Sequence, residues 1–197
     1  MLQDYLNEVI ANLRRLAERD LAPRLQAAAD ATAQALAQRK AVLVAGNGGS
    51  AADALHLAAE LVGRFRRERP AYNVIALPAN VATLTAVGND YGFDDVFSRQ
   101  VEAHGEMGGV LIAISTSGNS TNVVRAAEGA RRLGMTVIAL TGEGGGLLRD
   151  RSDILLDVPS AVTAHVQEMH ICLYHVLCHM VEEALVEGGG VPPKNSV

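Results

Sequence analysis

The chain has 197 residues, with 22 acidic against 17 basic side chains and a formal net charge of −5, a length that fits one domain with a substantial core. Apart from Arg64, Arg66, Arg67 and Arg69 the basic residues are scattered, which leaves no broad basic face for nucleic acid. Although 49% of the residues are hydrophobic, no uncharged run approaches bilayer length and the acid-bearing start MLQDYLNEVIANLRR is not a secretory signal, so a cytoplasmic protein with no membrane or nucleic-acid partner is expected.

Residues 1 to about 38 carry apolar side chains at helical spacing (Leu2, Leu6, Val9, Ile10, Leu13, Leu16), then a break near Pro23, then the alanine-rich LQAAADATAQALAQ. This predicts two helices or one kinked helix, a segment of its own before the main domain. From residue 39 the pattern changes. AVLVAG, YNVIAL, VLIAIS, TVIAL and DILLDV are short, β-branched and nearly continuous apolar runs, each followed by Gly, Ser, Thr or Pro and mostly by a helix-periodic stretch. Five such runs alternating with helices predict an α/β domain over 39–187 built on a five-stranded parallel sheet covered on both faces. A last helix is expected over about 163 to 187, and the Gly- and Pro-rich residues 188–197 read as a flexible tail. The two cysteines, Cys172 and Cys178, fall in that last helix without a CxxC spacing and are expected to be buried thiols.

Ligands of open α/β sheets bind beyond the C-terminal ends of the strands, which singles out GNGGSAAD, PAN, STSGNS and TGEGGG. The third is the most telling. Ser115, Thr116, Ser117 and Ser120, with Gly118 among them, stand where a buried strand hands over to a helix. One hydroxyl suffices for an N-cap; four, beside free N–H groups at the positive end of a helix, suit a phosphate monoester.

Asn47, Gly48 and Gly49 lie in GNGGSA, which satisfies the glycine pattern of a dinucleotide turn. The second strand run, however, ends in Leu77 and Pro78, where that fold wants a ribose-binding acid. No nucleotide cofactor is expected, and the glycines instead bring backbone and amide donors close to a small polar ligand. On the helix that this turn opens, His56 and Glu60 stand at i and i+4 on one face, a pair able to bind a divalent metal or to set a carboxylate base beside an imidazole. The last helix carries Gln167, His170, His175 and His179; spacing alone does not choose among the three histidines. Asn89 and Asp90, in VGNDYGF, form a turn after a short helix or receive sugar hydroxyls.

Taken together, GNGGSAADALHLAAEL, GNDYGF, FSRQVEA, ISTSGNSTNV, ALTGEGGG and VPS followed by VQEMHICLYH resemble the phosphoheptose isomerases, a branch of the sugar isomerase (SIS) domain superfamily, over about residues 38 to 187. The resemblance implies a flavodoxin-like three-layer α/β/α fold, a homotetramer with sites completed between subunits, and conversion of sedoheptulose 7-phosphate into D-glycero-D-manno-heptose 7-phosphate for lipopolysaccharide precursors. It implies a phosphate loop at Ser115, Thr116, Ser117 and Ser120, and sugar contacts at Asn47, Gly48, Gly49, Asn89, Asp90, Glu60 and Gln167. It further implies Glu60 as general base, His175 as its acid/base partner, and His56, Glu60, Gln167 and His175 as ligands of a divalent metal, usually zinc. Of the three histidines it selects His175.

One departure stands out: Ala164 occupies a place where some relatives carry an aspartate, with Asp90 and Glu168 as the nearby acids. A rival reading, a non-catalytic relative that binds the replication initiator DnaA, would lack the base and the final histidine, and both are present here. A sugar-phosphate-sensing regulatory module would need an attached domain for which 197 residues leave no room.

Overall fold

A computed structural model of the protein describes residues 1–187; the tail expected at 188–197 lies outside the described residues. Helices α1 (Leu2–Ala17) and α2 (Ala22–Ala37) precede an alternating series: β1 (Val42–Gly46), α3 (Gly49–Val62), β2 (Val74–Ala76), α4 (Val81–Asp90), α5 (Ser98–His104), β3 (Val110–Ser115), α6 (Thr121–Arg132), β4 (Thr136–Thr141), β5 (Ile154–Asp157) and α7 (Thr163–Glu187). The break between the first two helices falls before Pro23, which sits in the first turn of α2, where its missing N–H costs nothing.

All strand pairs are parallel, in the order β2-β1-β3-β4-β5. Because successive side chains alternate between faces, Val42, Val44, Ile112, Ile114, Ile138 and Leu140 enter one core with α2, α3 and α7, while Leu43, Ala45, Leu111, Ala113, Val137 and Ala139 enter a second core with α5 and α6. This double burial explains the unbroken apolar runs of the sequence. The N-terminal segment is not uniform. Leu25, Ala28, Ala29 and Leu36 of α2 belong to the first core, whereas α1 buries only Asn12 and leaves Leu2, Leu6 and Ile10 exposed.

Two expectations need correction. YNVIAL yields a strand of only three residues, since Leu77–Ala79 turn into a short 3-10 element, as the fixed φ of Pro78 allows. Cys172 is exposed, and only Cys178 is buried: the buried stripe of α7 runs through Leu173, Tyr174, Leu177 and Cys178, and position 172 falls off it. Among the described residues no helix is long and apolar enough to cross a membrane.

The strand order reverses at β1 and β3. The chain leaves β1 by α3 on one face and β3 by α6 on the other, so the two connections diverge and leave a crevice between the strand ends.

Candidate active site

That crevice holds a cavity of about 260 Å³ lined by Asn47, Gly48, Gly49, Ser50, Ser115, Thr116, Ser120, Thr163 and Gln167. Ser115 Oγ, buried at the end of β3, shares a hydrogen bond of 2.9 Å with Ser120 Oγ. Ser120 is the N-cap of α6 but its hydroxyl makes no capping bond, and Gly48 likewise caps α3 without a side chain. Two helix N-termini therefore present free N–H groups to one cavity that two hydroxyls also line, an arrangement suited to an anion. Ser117 differs from its neighbours. It is exposed, and its Oγ accepts from the Asn119 N–H at 3.1 Å, which helps shape the turn and leaves its own O–H to donate.

Gly49 allows a close approach. A Cβ built on it would lie 2.3 Å from Gln167 Nε2, so the bare backbone is what lets α7 lay the Gln167 amide against the start of α3. The two helices run side by side in the same direction: Gly49 meets Gln167, His56 meets Tyr174, and the N–H of Phe65 beyond α3 reaches Glu182.

One helical stretch further along, His56, Glu60 and His175 bring ligand atoms within 4.8 Å of one another. His56 Nε2 lies 3.1 Å from Glu60 Oε1 and its Nδ1 lies 2.9 Å from the Tyr174 hydroxyl. The ring of His175 packs edge-on to those of His56 and Tyr174, with centroids 5.1 and 5.0 Å away, and against Phe65 at 5.7 Å. Burial, reinforced by His56 and only partly opposed by Glu60, holds His175 below its ordinary imidazole pKa. Beneath the cluster, burial pushes Asp53 up to about 6, against the lowering influence of His56 and Tyr174. Two imidazoles and a carboxylate in such a space are a donor set that fits a divalent metal with an open coordination position.

A family model for the SIS domain matches residues 4–142. The phosphoheptose isomerase of Rhodospirillum rubrum is 54% identical over 166 residues, 84% of this chain and 88% of the relative. The chain belongs to the phosphoheptose isomerase family. Solved structures agree: that of the phosphoheptose isomerase from Neisseria gonorrhoeae superposes with a TM-score of 0.86 at 43% identity, covering 92% of this chain and 97% of that one. The enzyme from Francisella tularensis superposes with a TM-score of 0.88 at 41% identity, covering 92% and 96%. As a phosphoheptose isomerase family member the chain is an isomerase, and of the readings weighed from sequence these relatives support the enzyme, not the DnaA-binding protein.

Within this family fold the three candidate histidines among the four of α7 separate cleanly. His175 joins the cluster, His170 is fully buried with neither ring nitrogen hydrogen-bonded, and His179 faces Glu183 at 3.5 Å. Gln167 stands in the cavity, and at 1.5 Å rise per residue it is about 12 Å along α7 from His175.

Asn89 and Asp90 are brought to neither place. Both belong to the last turn of α4, not to the turn after it, and are exposed with Asn89 Nδ2 donating to Asp90 Oδ1 at 2.7 Å. Nor does either nearby acid make up for Ala164: Glu168 accepts from the Tyr5 hydroxyl and pairs with His165, while Asp90 is taken by Asn89. Sequence reasoning missed Ser50 and Thr163, which line the cavity, and Asn122, whose side-chain amide exchanges two hydrogen bonds with that of the cavity residue Asn47. The first follows the glycine turn and the second opens α7, both helix N-termini where a hydroxyl signals; Asn122 hid in the STNV segment as an ordinary helix residue.

Proposed function

We propose that this chain interconverts sedoheptulose 7-phosphate and D-glycero-D-manno-heptose 7-phosphate, the entry step to heptose precursors of lipopolysaccharide. The observation that carries the reading is spatial. An anion cradle between β1 and β3 stands about 10 Å, the rise of the seven residues from Gly49 to His56, from a carboxylate and two imidazoles drawn together on α3 and α7. An extended seven-carbon sugar phosphate bridges that span.

With the phosphate against Ser115, Thr116 and Ser120 and the Gly48–Gly49 turn along the chain of hydroxyls, C1 and C2 reach Glu60 and His175. Glu60 removes the C1 proton of the ketose and returns it to C2, on one face of an enediol. His175, kept neutral by its surroundings, moves the hydroxyl proton between O1 and O2. Remote binding of the phosphate orients the reacting carbons, which is where much of the rate gain arises. Gln167 lines the path between the two places. A divalent metal, zinc by the chemistry of the donors, would be held by His56, Glu60 and His175, with Gln167 the further ligand that the family resemblance implies, and would supply Lewis-acid polarisation of the substrate oxygens; because a ligating lone pair takes no proton, Glu60 and His175 would ligate it loosely enough to leave it for the proton transfers. Asn89 and Asp90, remote from the cavity in one chain, belong in this reading to a site completed by a neighbouring subunit. The exposed apolar stripe of α1 (Leu2, Leu6, Ile10) and Val176 on α7 support assembly into a homotetramer, in the cytoplasm where sugar phosphates are made.

Purified protein should convert sedoheptulose 7-phosphate, and Glu60→Gln should remove turnover by about two to four orders of magnitude while the melting profile stays that of the parent. Turnover of the Glu60→Gln protein at the parental rate would refute the assignment of the base.

A further inference from the structure

The two turns that line the cradle follow neighbouring strands, and their tie is a single pair of side chains. Asn47 Nδ2 donates to Asn122 Oδ1 at 2.7 Å, and Asn122 Nδ2 donates back to Asn47 Oδ1 at 2.9 Å. Asn122 is 3% exposed in the first turn of α6, and its Oδ1 also accepts the Val123 N–H at 2.9 Å. That third bond fixes which end of the Asn122 amide is oxygen, and thereby fixes the orientation of Asn47 as well. Among the described residues these are the only hydrogen bonds between residues 47–50 and residues 115–122. On its other flank the phosphate turn is held by several: Gly142 N–H to Thr116 O, Leu148 N–H to Gly118 O and Leu147 N–H to Asn119 Oδ1.

We propose that Asn122 is a positioning residue, which through its two-bond ring with Asn47 sets the distance between the phosphate turn and the Gly48–Gly49 turn and so places the sugar relative to Glu60 and His175. This rests on the isomerase reading and deepens it. The ring occupies one N–H and one lone pair of the Asn47 amide, so Asn47 offers substrate its backbone and the second Nδ2–H, the two kinds of donor expected from sequence. A ligand that occupies the phosphate turn alone is indifferent to the ring. One that spans both turns is not, because a displacement of one turn of about 1 Å costs a reaction about a hundredfold.

The test compares steady-state isomerisation of sedoheptulose 7-phosphate with competitive inhibition by inorganic phosphate in Asn122→Ala, Asn47→Ala and the double variant. Asn122→Ala should lower kcat/KM by about tenfold or more, with the inhibition constant for inorganic phosphate within about twofold of the parent. The double variant should lose no more than the worse single one, as for two residues acting as a unit. Asn47→Ala opens the same ring from its less buried side and adds no charge beside the phosphate turn; it should show the same split, and it carries the test if Asn122→Ala fails to fold. Unchanged kcat/KM, additive losses, or weakening of inorganic phosphate in step with kcat/KM would each overturn the proposal. If the parent itself binds inorganic phosphate but turns over no sugar phosphate, the functional reading fails first. In that event a sugar phosphate should still bind more weakly to Asn122→Ala than to the parent, and equal binding would sink the positioning role on its own.

Discussion

Replacing His170 with leucine isolates the cost of a buried imidazole. His170 is fully buried on α7, neither ring nitrogen makes a well-formed hydrogen bond, and burial, only partly opposed by a poorly aligned contact with the Thr141 backbone, brings its pKa down to about 4. An unfolded histidine titrates near 6.5. Between those values the unfolded chain binds a proton that the folded one refuses, so stability is complete above about pH 6.5 and falls as pH drops towards 4. At pH 5 the linkage amounts to about 2 kcal/mol for this group. Asp53, raised to about 6, acts in the same window with the opposite sign: its burial penalty is relieved as it protonates. That contribution is common to parent and variant and cancels in their difference. Urea unfolding at fixed chain concentration, at pH 7.5 and pH 5, should therefore show the parent losing about 2 kcal/mol relative to His170→Leu between the two pH values. Whatever packing change leucine brings enters at both pH values alike. A difference that stays constant within about 0.5 kcal/mol would refute the buried, neutral histidine.

Two further outcomes follow from the geometry. Gly118 has φ +69, and a Cβ there would lie 2.0 Å from the Gly145 carbonyl oxygen; Gly118→Ala should cost about 2 kcal/mol or more in thermal or urea unfolding and raise KM for the sugar phosphate, and a variant with parental stability and KM would contradict the packing of these two turns. Glu182 has a side chain with no exposure and accepts the N–H groups of Phe65, Arg66 and Arg67 and the Nε–H of Arg69. Glu182→Gln leaves the buried Arg69 without its counter-charge and should destabilise by about 3–5 kcal/mol, whereas a loss under about 1 kcal/mol would show that this pair behaves as a surface contact.

Much of the molecule was determined by the sequence alone. Strands buried on both faces must be apolar at every position, so AVLVAG, VLIAIS and TVIAL declare themselves, and the hydroxyls from Ser115 to Ser120 mark a candidate anion site because that density of donors exceeds what a plain cap uses. His56 and Glu60 share a face through the helical repeat, a property of local geometry. Only the tertiary structure decided what depends on bringing distant segments together. Position 175 differs from 170 and 179 by the angle it takes around α7 against α3, which places one imidazole on the cluster, buries another without partners and turns the third to Glu183. The same packing put Cys172 outside, bonded the Asn119 N–H to the Ser117 hydroxyl, and joined the amide of Asn47 to that of Asn122. Periodicity states which residues share a face; it carries no information on which neighbour that face will meet, and hydrogen-bond partners 75 or 118 residues apart are set by the docking of helices on the sheet.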